Sequence, residues 1–282
     1  MNALLTLIRM ALAEDLGAGD ITSDFFIAAS HQSQSEIITR QPLVVAGLSV
    51  VLTLFAELDP QLLVIPKAKD GERRDIGDPL LSLKGSTRSI LAGERAALNF
   101  LGRLSGIATW TRAHVDAAQG TGVTILDTRK TTPGWRYLEK EAVRAGGAKN
   151  HRMGLYDAML IKDNHLAALR SDLKLMLPGY LQKARWEYPH LPIELEAETL
   201  EQVEFFLTIP AITTILLDNM SLPMLRQAVA LRNKRAPAIR LEASGGISLA
   251  NLRAVAETGV DEISLGALTH TAPWVDLSLE LF

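Results

Sequence analysis

The sequence predicts an α/β protein in which a parallel sheet forms the C-terminal part of the chain. Six short strand-like runs follow residue 122, namely Val123–Asp127, Ala158–Lys162, Ile193–Glu196, Thr214–Asp218, Ile239–Ala243 and Glu262–Gly266. Helical patterns separate most of them, as in Ser171–Glu187, Thr199–Leu207, Leu222–Arg232 and Leu249–Thr258. Because parallel strands need crossover connections, these repeated units indicate a parallel sheet. Without a GxGxxG motif, they favour a closed α/β barrel, with a doubly wound open sheet as the alternative.

The first third of the chain predicts a mixed α and β region. Apolar residues at helical spacing before Gly17 and Gly19 indicate an N-terminal helix that includes Ile8 and Leu12. The β-rich runs that follow are Ser35–Arg40, Leu43–Ala46 and Leu62–Ala68. A long helical stretch from about Ser89 to Gln119 then precedes the parallel sheet.

Composition excludes several classes of function. With 29 Lys and Arg against 32 Asp and Glu, the net charge of −3 argues against a nucleic-acid binder. Cysteine is absent, so disulfides, thiolate nucleophiles and Cys-ligated metals are excluded. Leu43–Ala56, the longest apolar stretch, has 14 residues, whereas a membrane span needs ~20. Met1–Gly19 suggests an amphipathic helix rather than an export signal, so we expect a cytoplasmic protein without membrane association.

Polar or glycine residues lie at the ends of the predicted parallel strands. They are Asp127–Thr131, Lys162–His165, Glu196, Asp218 with Asn219, Ser244–Gly246 and Gly266. In α/β barrels the active site lies at the edge where the carboxyl ends of the strands meet. We therefore expect the functional site at this edge.

The charges around the first two strand ends predict a site for an anion. Residues 127–165 contain eight Lys or Arg against five Asp or Glu, a local excess of +3. Such an excess in an acidic chain indicates a cationic pocket, and Arg129, Lys130, Arg152 and Lys162 are the strongest candidates. By contrast, the pattern at 139–144, in which Glu139 and Glu141 alternate with Lys140 ahead of Arg144, is typical of a solvated helix face.

Two glycine-containing segments are candidates for binding phosphate. Ser244, Gly245 and Gly246 open the predicted helical segment Ile247–Thr258, where glycines and helix amides can approach an anion. Gly266–Leu268 follows the last strand as a companion loop.

The acids and histidines near the strand ends leave two interpretations open. Glu196 and Asp218 either pair with Lys and Arg or hold Mg²⁺, which prefers carboxylates together with phosphate oxygens. His151 and His165 lie among basic residues in the sequence, which disfavours metal binding and suits donation to an anion.

Nine segments together resemble the quinolinate phosphoribosyltransferase family. They are Glu14–Ser23, Gly93–Leu101, Leu104–Thr109, Asp127–Arg136, Gly146–Leu155, Leu160–His165, Leu216–Met220, Glu242–Ile247 and Leu265–His270. The resemblance covers essentially the whole chain. Trp135 stands where Leu is usual, and Ala148 replaces the third glycine of a common Gly-Gly-Gly; we expect both to change packing rather than chemistry.

The resemblance implies a fold and an assembly. An open-faced α/β sandwich at residues 1–115 would be joined to an incomplete α/β barrel at 116–270, and a tail of about 271–282 would return to the sandwich. The family works as a homodimer or a larger assembly such as a hexamer, with active sites shared between subunits.

The resemblance also implies the reaction and its residues. Quinolinate and phosphoribosyl pyrophosphate would give nicotinate mononucleotide, pyrophosphate and CO₂ in NAD biosynthesis, with Lys130, Lys162, Glu196 and Asp218 as catalytic residues. Quinolinate would contact Arg95 of the neighbouring subunit, Thr128, Arg129, Lys130, His151, Arg152 and Lys162. Glu196 and Asp218 would face the ribose and Mg²⁺. Phosphate would lie against Ser244, Gly245, Gly246, Gly266 and Ala267, with Leu265 and His270 beside them.

Two other functions remain open at this stage. One is phosphoribosyl transfer to a related anionic ring without decarboxylation. The other is a barrel without activity that binds a phosphorylated ligand. Glu196 and Asp218 favour an enzyme, because phosphate binding alone does not require acids at the rim.

Overall fold

The computed structural model describes residues 3–168 and 173–282, and their contacts divide them into two units. The first unit comprises the described residues up to Arg112, together with Thr132–Gly147 and Leu268–Phe282. The second comprises the described parts of Ala113–Thr131 and Ala148–Ala267. The segment 132–147 thus joins the first unit, although it lies inside the residue range in which the sequence places the barrel.

In chain order the elements are α1 (Ala3–Leu16), α2 (Ile21–Phe26), β1 (Gln32–Thr39), β2 (Leu43–Val44), α3 (Leu48–Leu58), β3 (Leu63–Pro66), β4 (Arg73–Arg74), β5 (Pro79–Ser86), α4 (Thr87–Ala117), β6 (Thr124–Leu126), α5 (Arg136–Ala145), β7 (Met159–Ile161), α6 (Asp163–Ala168), α7 (Leu173–Glu187), β8 (Ile193–Ala197), α8 (Leu200–Phe206), β9 (Thr214–Asp218), α9 (Leu222–Arg235), β10 (Arg240–Ser244), α10 (Leu252–Ala256), β11 (Glu262–Ser264), α11 (Ala267–His270) and β12 (Leu277–Leu281). Among the described residues, no helix is long and apolar enough to cross a membrane.

The first unit contains a four-stranded antiparallel sheet in the order β12-β1-β5-β3. Ile37 at its centre is fully buried and lies opposite Leu81 on β5 and Leu279 on β12. Helix α1 ends at Leu16, directly before Gly17, as the sequence predicts. Helix α3 was not predicted, because its apolar and β-branched residues, such as Val50 and Val51, do not distinguish a buried helix from a strand.

The second unit contains a six-stranded parallel sheet in the order β6-β11-β10-β9-β8-β7. Each of the six predicted strands is present, with ends that differ by no more than two residues. The closed barrel that the residue pattern favours is wrong, since edge strands β6 and β7 are not paired with each other in the described residues. Six strands are too few for the eight-stranded closure typical of such barrels, so the sheet stays open, as the resemblance implies.

Strands β8 and β10 carry polar residues on one face and apolar residues on the other. Along β8, Glu194 and Glu196 alternate with Ile193, Leu195 and Ala197, all three fully buried. Because side chains alternate along a strand, the two glutamates share a face. Strand β10 repeats the pattern with Arg240, Glu242 and Ser244, whereas on β9 the apolar Leu216 lies between Thr214 and Asp218.

The helices of the second unit correct one prediction. Helices α8 and α9 lie where they are predicted, whereas the predicted start at Ser171 lies outside the described residues. The helix predicted from Ile247 begins only at Leu252, so Gly246 does not open it. A turn intervenes, in which the Ser248 N–H donates to Asn251 Oδ1 at 2.7 Å, and this local hydrogen bond competes with helix formation.

Helix α5 contradicts the prediction of a solvated face. Glu139 and Lys140 are both fully buried. Glu139 accepts hydrogen bonds from Arg103 Nη2 at 3.1 Å, from the Thr132 hydroxyl at 2.8 Å and from the Thr132 N–H at 3.2 Å. The prediction of a solvated face holds only for Glu141 and Arg144, which form an exposed ion pair.

Candidate active site

Asp127 fixes the loop that carries two of the predicted site residues. It directly follows β6 and is fully buried. Its Oδ1 accepts the His151 backbone N–H at 2.8 Å, and its Oδ2 accepts the Asn150 side-chain amide at 2.6 Å. A buried carboxylate with two such donors holds residues 150 and 151 against the end of the sheet.

Arg129 and Arg152 form the cationic part of the site. Burial and the nearby charge of Arg129 lower the pKa of Arg152. Arg152 is partly buried and donates to the Ala158 carbonyl at 3.2 Å. The Nε of Arg129 is buried and has no hydrogen-bond partner among the described residues. Two guanidinium groups in mutual repulsion, one with an unsatisfied donor, are suited to a carboxylate or phosphate.

Lys162 and Glu196 meet across neighbouring strands. Lys162 Nζ lies 2.8 Å from Glu196 Oε2, with 47% of the lysine side chain exposed and 8% of the glutamate. Asp218 ends β9, and its Oδ2 accepts the Asn219 side-chain amide at 2.7 Å. Glu196 is therefore a partner of Lys162, which is one of its two predicted roles. Both acids supply carboxylate oxygens, so their chemistry also fits Mg²⁺ bound together with phosphate.

The turn after β10 requires glycine. Gly245 has a φ of +89°, and a Cβ there would lie 2.2 Å from Asn219 Oδ1. Asn219 itself has a φ of +52° and donates its N–H to the Ser244 carbonyl at 2.8 Å. The ends of β9 and β10 therefore approach each other closely, and both Gly245 and Gly246 are exposed.

The second candidate phosphate loop, Gly266–Leu268, and the remaining candidate residues are distributed over both units. Leu265 donates its N–H to the Leu126 carbonyl at 2.9 Å, and the four-residue helix α11 begins one residue after Gly266. Thr128 Oγ1 accepts the N–H of Lys130, whose side chain is exposed. The other two candidates belong to the first unit, where both are exposed: Arg95 on α4 and His270 at the end of α11.

His151 has acidic neighbours, whereas the sequence suggests basic ones. Its Nε2 lies 3.1 Å from Glu194 Oε2 and 3.4 Å from Glu242 Oε2, and its Nδ1 accepts the Arg152 N–H at 2.7 Å. Burial lowers the pKa of His151, but the hydrogen bonds with Glu194 and Glu242 outweigh this effect and raise the pKa to about 10. The Arg152 N–H already occupies Nδ1, so it opposes the second protonation that the two glutamates favour, and Nε2 carries a proton in either state.

Sequence reasoning missed Glu194 and Glu242, although a signal was present. Each lies two residues before a predicted strand-end residue, Glu196 or Ser244, on the same strand. The period of two along a strand places such residues on one face. The alternation would therefore have assigned both glutamates to the polar face.

A parallel α/β sheet with arginines, a lysine and a glycine turn at the carboxyl ends of its strands is the arrangement of an enzyme that binds small anionic substrates. Comparison with known proteins gives the family. The model for the quinolinate phosphoribosyl transferase N-terminal domain matches residues 20–105, and that for the C-terminal domain matches residues 107–280. The chain belongs to the quinolinate phosphoribosyltransferase family.

Individual relatives agree over nearly the whole chain. A nicotinate-nucleotide pyrophosphorylase [carboxylating] from Mycobacterium leprae is 43% identical over 97% of this chain and 95% of its own length. A probable enzyme of the same name from Bacillus subtilis is 41% identical over 99% and 93%. The solved nicotinate-nucleotide pyrophosphorylase from Francisella tularensis has a TM-score of 0.91 at 34% identity, with 100% and 96% of the two chains covered.

Proposed function

We propose that this chain is a quinolinate phosphoribosyltransferase that forms nicotinate mononucleotide, pyrophosphate and CO₂ from quinolinate and phosphoribosyl pyrophosphate in NAD biosynthesis. The curated relatives at 43% and 41% identity carry the name of this activity. The observation that carries the proposal is the pair of Arg129 and Arg152. The buried Nε of Arg129 has no partner among the residues that the structure describes, and the pKa of Arg152 is lowered by burial and by Arg129. A dicarboxylate would relieve both the repulsion and the unsatisfied donor.

The substrates explain why the pocket is cationic. Quinolinate brings two carboxylates and the sugar donor brings phosphates, so cations are needed before the two can approach. Arg129 and Arg152 would bind carboxylate oxygens, while Lys130 and Lys162 act as movable point charges. Thr128 keeps the Lys130 backbone in place through its 3.1 Å hydrogen bond.

The reaction consists of two bond exchanges. The ring nitrogen of quinolinate bonds to C1 of the ribose as the bond from C1 to the pyrophosphate oxygen breaks, and pyrophosphate departs with that electron pair. The bond between ring C2 and its carboxylate then breaks, CO₂ leaves, and the electron pair remaining on C2 takes up a proton. The cationic ring nitrogen stabilises that pair, and fixed charges in the site stabilise the charge that develops in each step.

We assign Glu196 and Asp218 to the ribose and to Mg²⁺. The ion would neutralise the departing pyrophosphate. Glu196 Oε2 also lies 2.8 Å from Lys162 Nζ. The same carboxylate can therefore keep the lysine in place and face the sugar donor.

The test is to incubate the protein with quinolinate, phosphoribosyl pyrophosphate and Mg²⁺ and to measure nicotinate mononucleotide and released CO₂. We expect both products in equal amounts, and we expect Arg129→Ala to raise the KM for quinolinate. Product from nicotinate but not from quinolinate would favour transfer without decarboxylation. Binding of both substrates without product would favour a barrel that only carries a phosphorylated ligand.

We also propose a cytoplasmic homodimer with shared sites. Ile21, Phe25 and Phe26 on α2 are 85%, 81% and 79% exposed, and an apolar patch of this kind supports an interface between proteins. Arg95 would then complete the site of the neighbouring subunit.

The shared site is tested by mixing two inactive variants, Arg95→Ala and Lys130→Ala. Subunit exchange creates hybrid dimers with one intact site, so part of the activity should return. Absence of rescue despite measured exchange would contradict the shared site.

A further inference from the structure

A buried cluster of three ionisable side chains lies next to Arg152 in the second unit. It consists of His151, Glu194 and Glu242, and we call it the His–Glu cluster. The two glutamates are 5% and 1% exposed. Their Oε2 atoms face the imidazole Nε2, whereas the Oε1 atom of each is buried and finds no hydrogen-bond partner in the part of the chain that the structure describes.

The cluster is costly to bury. One imidazole N–H faces two carboxylates that are almost fully buried. Burying carboxylate oxygens without a donor costs free energy, and replacing buried ionic groups by apolar ones is often neutral or stabilising. Stability alone therefore does not account for two glutamates at this place.

The cluster is connected to the candidate quinolinate site through one short segment. The His151 N–H is held by Asp127, and its ring accepts the backbone N–H of Arg152 at 2.7 Å. The imidazole is thus held between the Arg152 backbone and the two carboxylates. The charge of Glu194 also acts favourably on the Arg152 guanidinium, against the repulsion from Arg129.

We propose that Glu194 and Glu242 are positioning residues for quinolinate, which hold the imidazole of His151 in the sheet and thereby orient Arg152 toward a substrate carboxylate. This inference rests on the proposed function. It also alters one role implied by the resemblance: His151 supports Arg152 and does not itself hold the carboxylate, because both of its ring nitrogens are already engaged.

The same three groups have the chemistry of a metal site, but their protonation favours the hydrogen-bonded cluster. A metal ion needs an unprotonated imidazole nitrogen. Here the nitrogen that faces the carboxylates is the one that carries the proton.

The test compares Glu194→Gln and Glu242→Gln with wild type. Each change removes a charge while keeping nearly the same shape. We expect the KM for quinolinate to rise about tenfold, as for the loss of a hydrogen bond to a charged group. The KM for phosphoribosyl pyrophosphate should change less than twofold and kcat less than threefold. Calorimetric titration with quinolinate alone should show the same loss of affinity.

Two glutamates provide matched controls. Glu262 on β11 is the register partner of Glu242, is 7% exposed and pairs with Arg240. Glu198 follows β8 and is exposed. Glu262→Gln should lower the thermal unfolding midpoint without raising the KM for quinolinate, and Glu198→Gln should change neither. An increase in that KM in Glu262→Gln as large as in Glu242→Gln would overturn the proposal, because the effect would then follow from general loss of stability.

A double mutant tests whether the effect passes through His151. If it does, Glu242→Gln in a His151→Gln background adds less than a twofold change in the KM for quinolinate, because coupled residues are not additive. Full additivity would contradict the proposal.

Metal removal tests the alternative of a metal site. Loss of quinolinate affinity on treatment with a chelator, and its recovery with Zn²⁺ alone, would also contradict the proposal. Failure of the wild-type protein to bind quinolinate would instead refute the proposed function.

Discussion

Each of the two units buries a group of charged side chains, and the two groups differ in how completely they are paired. In the first unit, Glu139 accepts hydrogen bonds from Arg103 and twice from Thr132, so that both of its oxygens have donors. In the second unit, Glu194 and Glu242 each have one oxygen that no donor reaches within residues 3–168 and 173–282. The first group is what a stable interior requires. The second retains an electrostatic cost, which functional sites commonly do.

On our proposal, this difference separates charges that stabilise the fold from charges that position the substrate. Removing the first kind should lower stability and leave substrate affinity unchanged in the folded protein. Removing the second should change substrate affinity or turnover at a smaller cost in stability. The variants described next should separate the two groups on these measures, beginning with the largest expected effect.

Glu139→Ala should be the most destabilising change. It leaves Arg103, whose side chain is 12% exposed, without its carboxylate, and breaking a buried ion pair costs about 3–5 kcal/mol. Urea unfolding followed by circular dichroism measures the loss. If the variant unfolds at the wild-type midpoint, the first group does not stabilise the fold as its hydrogen bonds indicate.

Lys162→Ala should act on the reaction instead. It removes a cation from the candidate site and leaves the buried Glu196 without its partner. The loss of one preorganised donor lowers kcat by about 10²–10³-fold. Steady-state kinetics with both substrates measures this loss, and Lys183→Ala, at an exposed lysine on α7, is the control. An activity within threefold of wild type would exclude Lys162 from catalysis.

Gly245→Ala should have a smaller effect on stability and a specific effect on the sugar donor. The φ of +89° is unfavourable for alanine, and strained conformations of this kind cost about 1–3 kcal/mol. The added Cβ would also displace Asn219. We expect a higher KM for phosphoribosyl pyrophosphate and an unchanged KM for quinolinate, and equal increases in both would contradict a phosphate role for this turn.

The pH dependence of stability should report His151. The ordinary pKa of 6.5 is raised to about 10 in the folded protein, so its contribution is fully present below pH 6.5 and is lost as the pH rises toward 10. The free energy of unfolding of wild type should therefore fall over this range more steeply than that of His151→Gln. Identical slopes in the two proteins would contradict the pairing with Glu194 and Glu242.

The smallest effect should come from an exposed ion pair. Arg253 and Glu257 on α10 and its cap are each 54% exposed and 2.7 Å apart. Exposed pairs contribute about 0.2–1 kcal/mol, so Glu257→Gln should change stability by less than 1 kcal/mol and leave the kinetics unchanged. A larger loss of stability would show that exposed ion pairs are not weaker than buried ones in this protein.

The sequence predicted much of the second unit because its strands are short, apolar and followed by polar residues. Local charge and strand position alone point to Arg129, Arg152 and Lys162. The prediction of a solvated face at Glu139 and Lys140 is wrong, because the charge pattern of a helix does not reveal which face packs against its neighbours. The neighbours of His151 were missed for a related reason: Glu194 and Glu242 are 43 and 91 residues away, and only the fold brings them together.

The most direct test of the account is a crystal structure of the protein with quinolinate bound. The account predicts one ring carboxylate within hydrogen-bond distance of Arg129 Nε and the Arg152 guanidinium, while His151 Nε2 stays on Glu194 and Glu242. A carboxylate bound directly to the His151 ring, with the glutamates released, would contradict the positioning role. Arginines that stay away from the ligand would contradict the site itself.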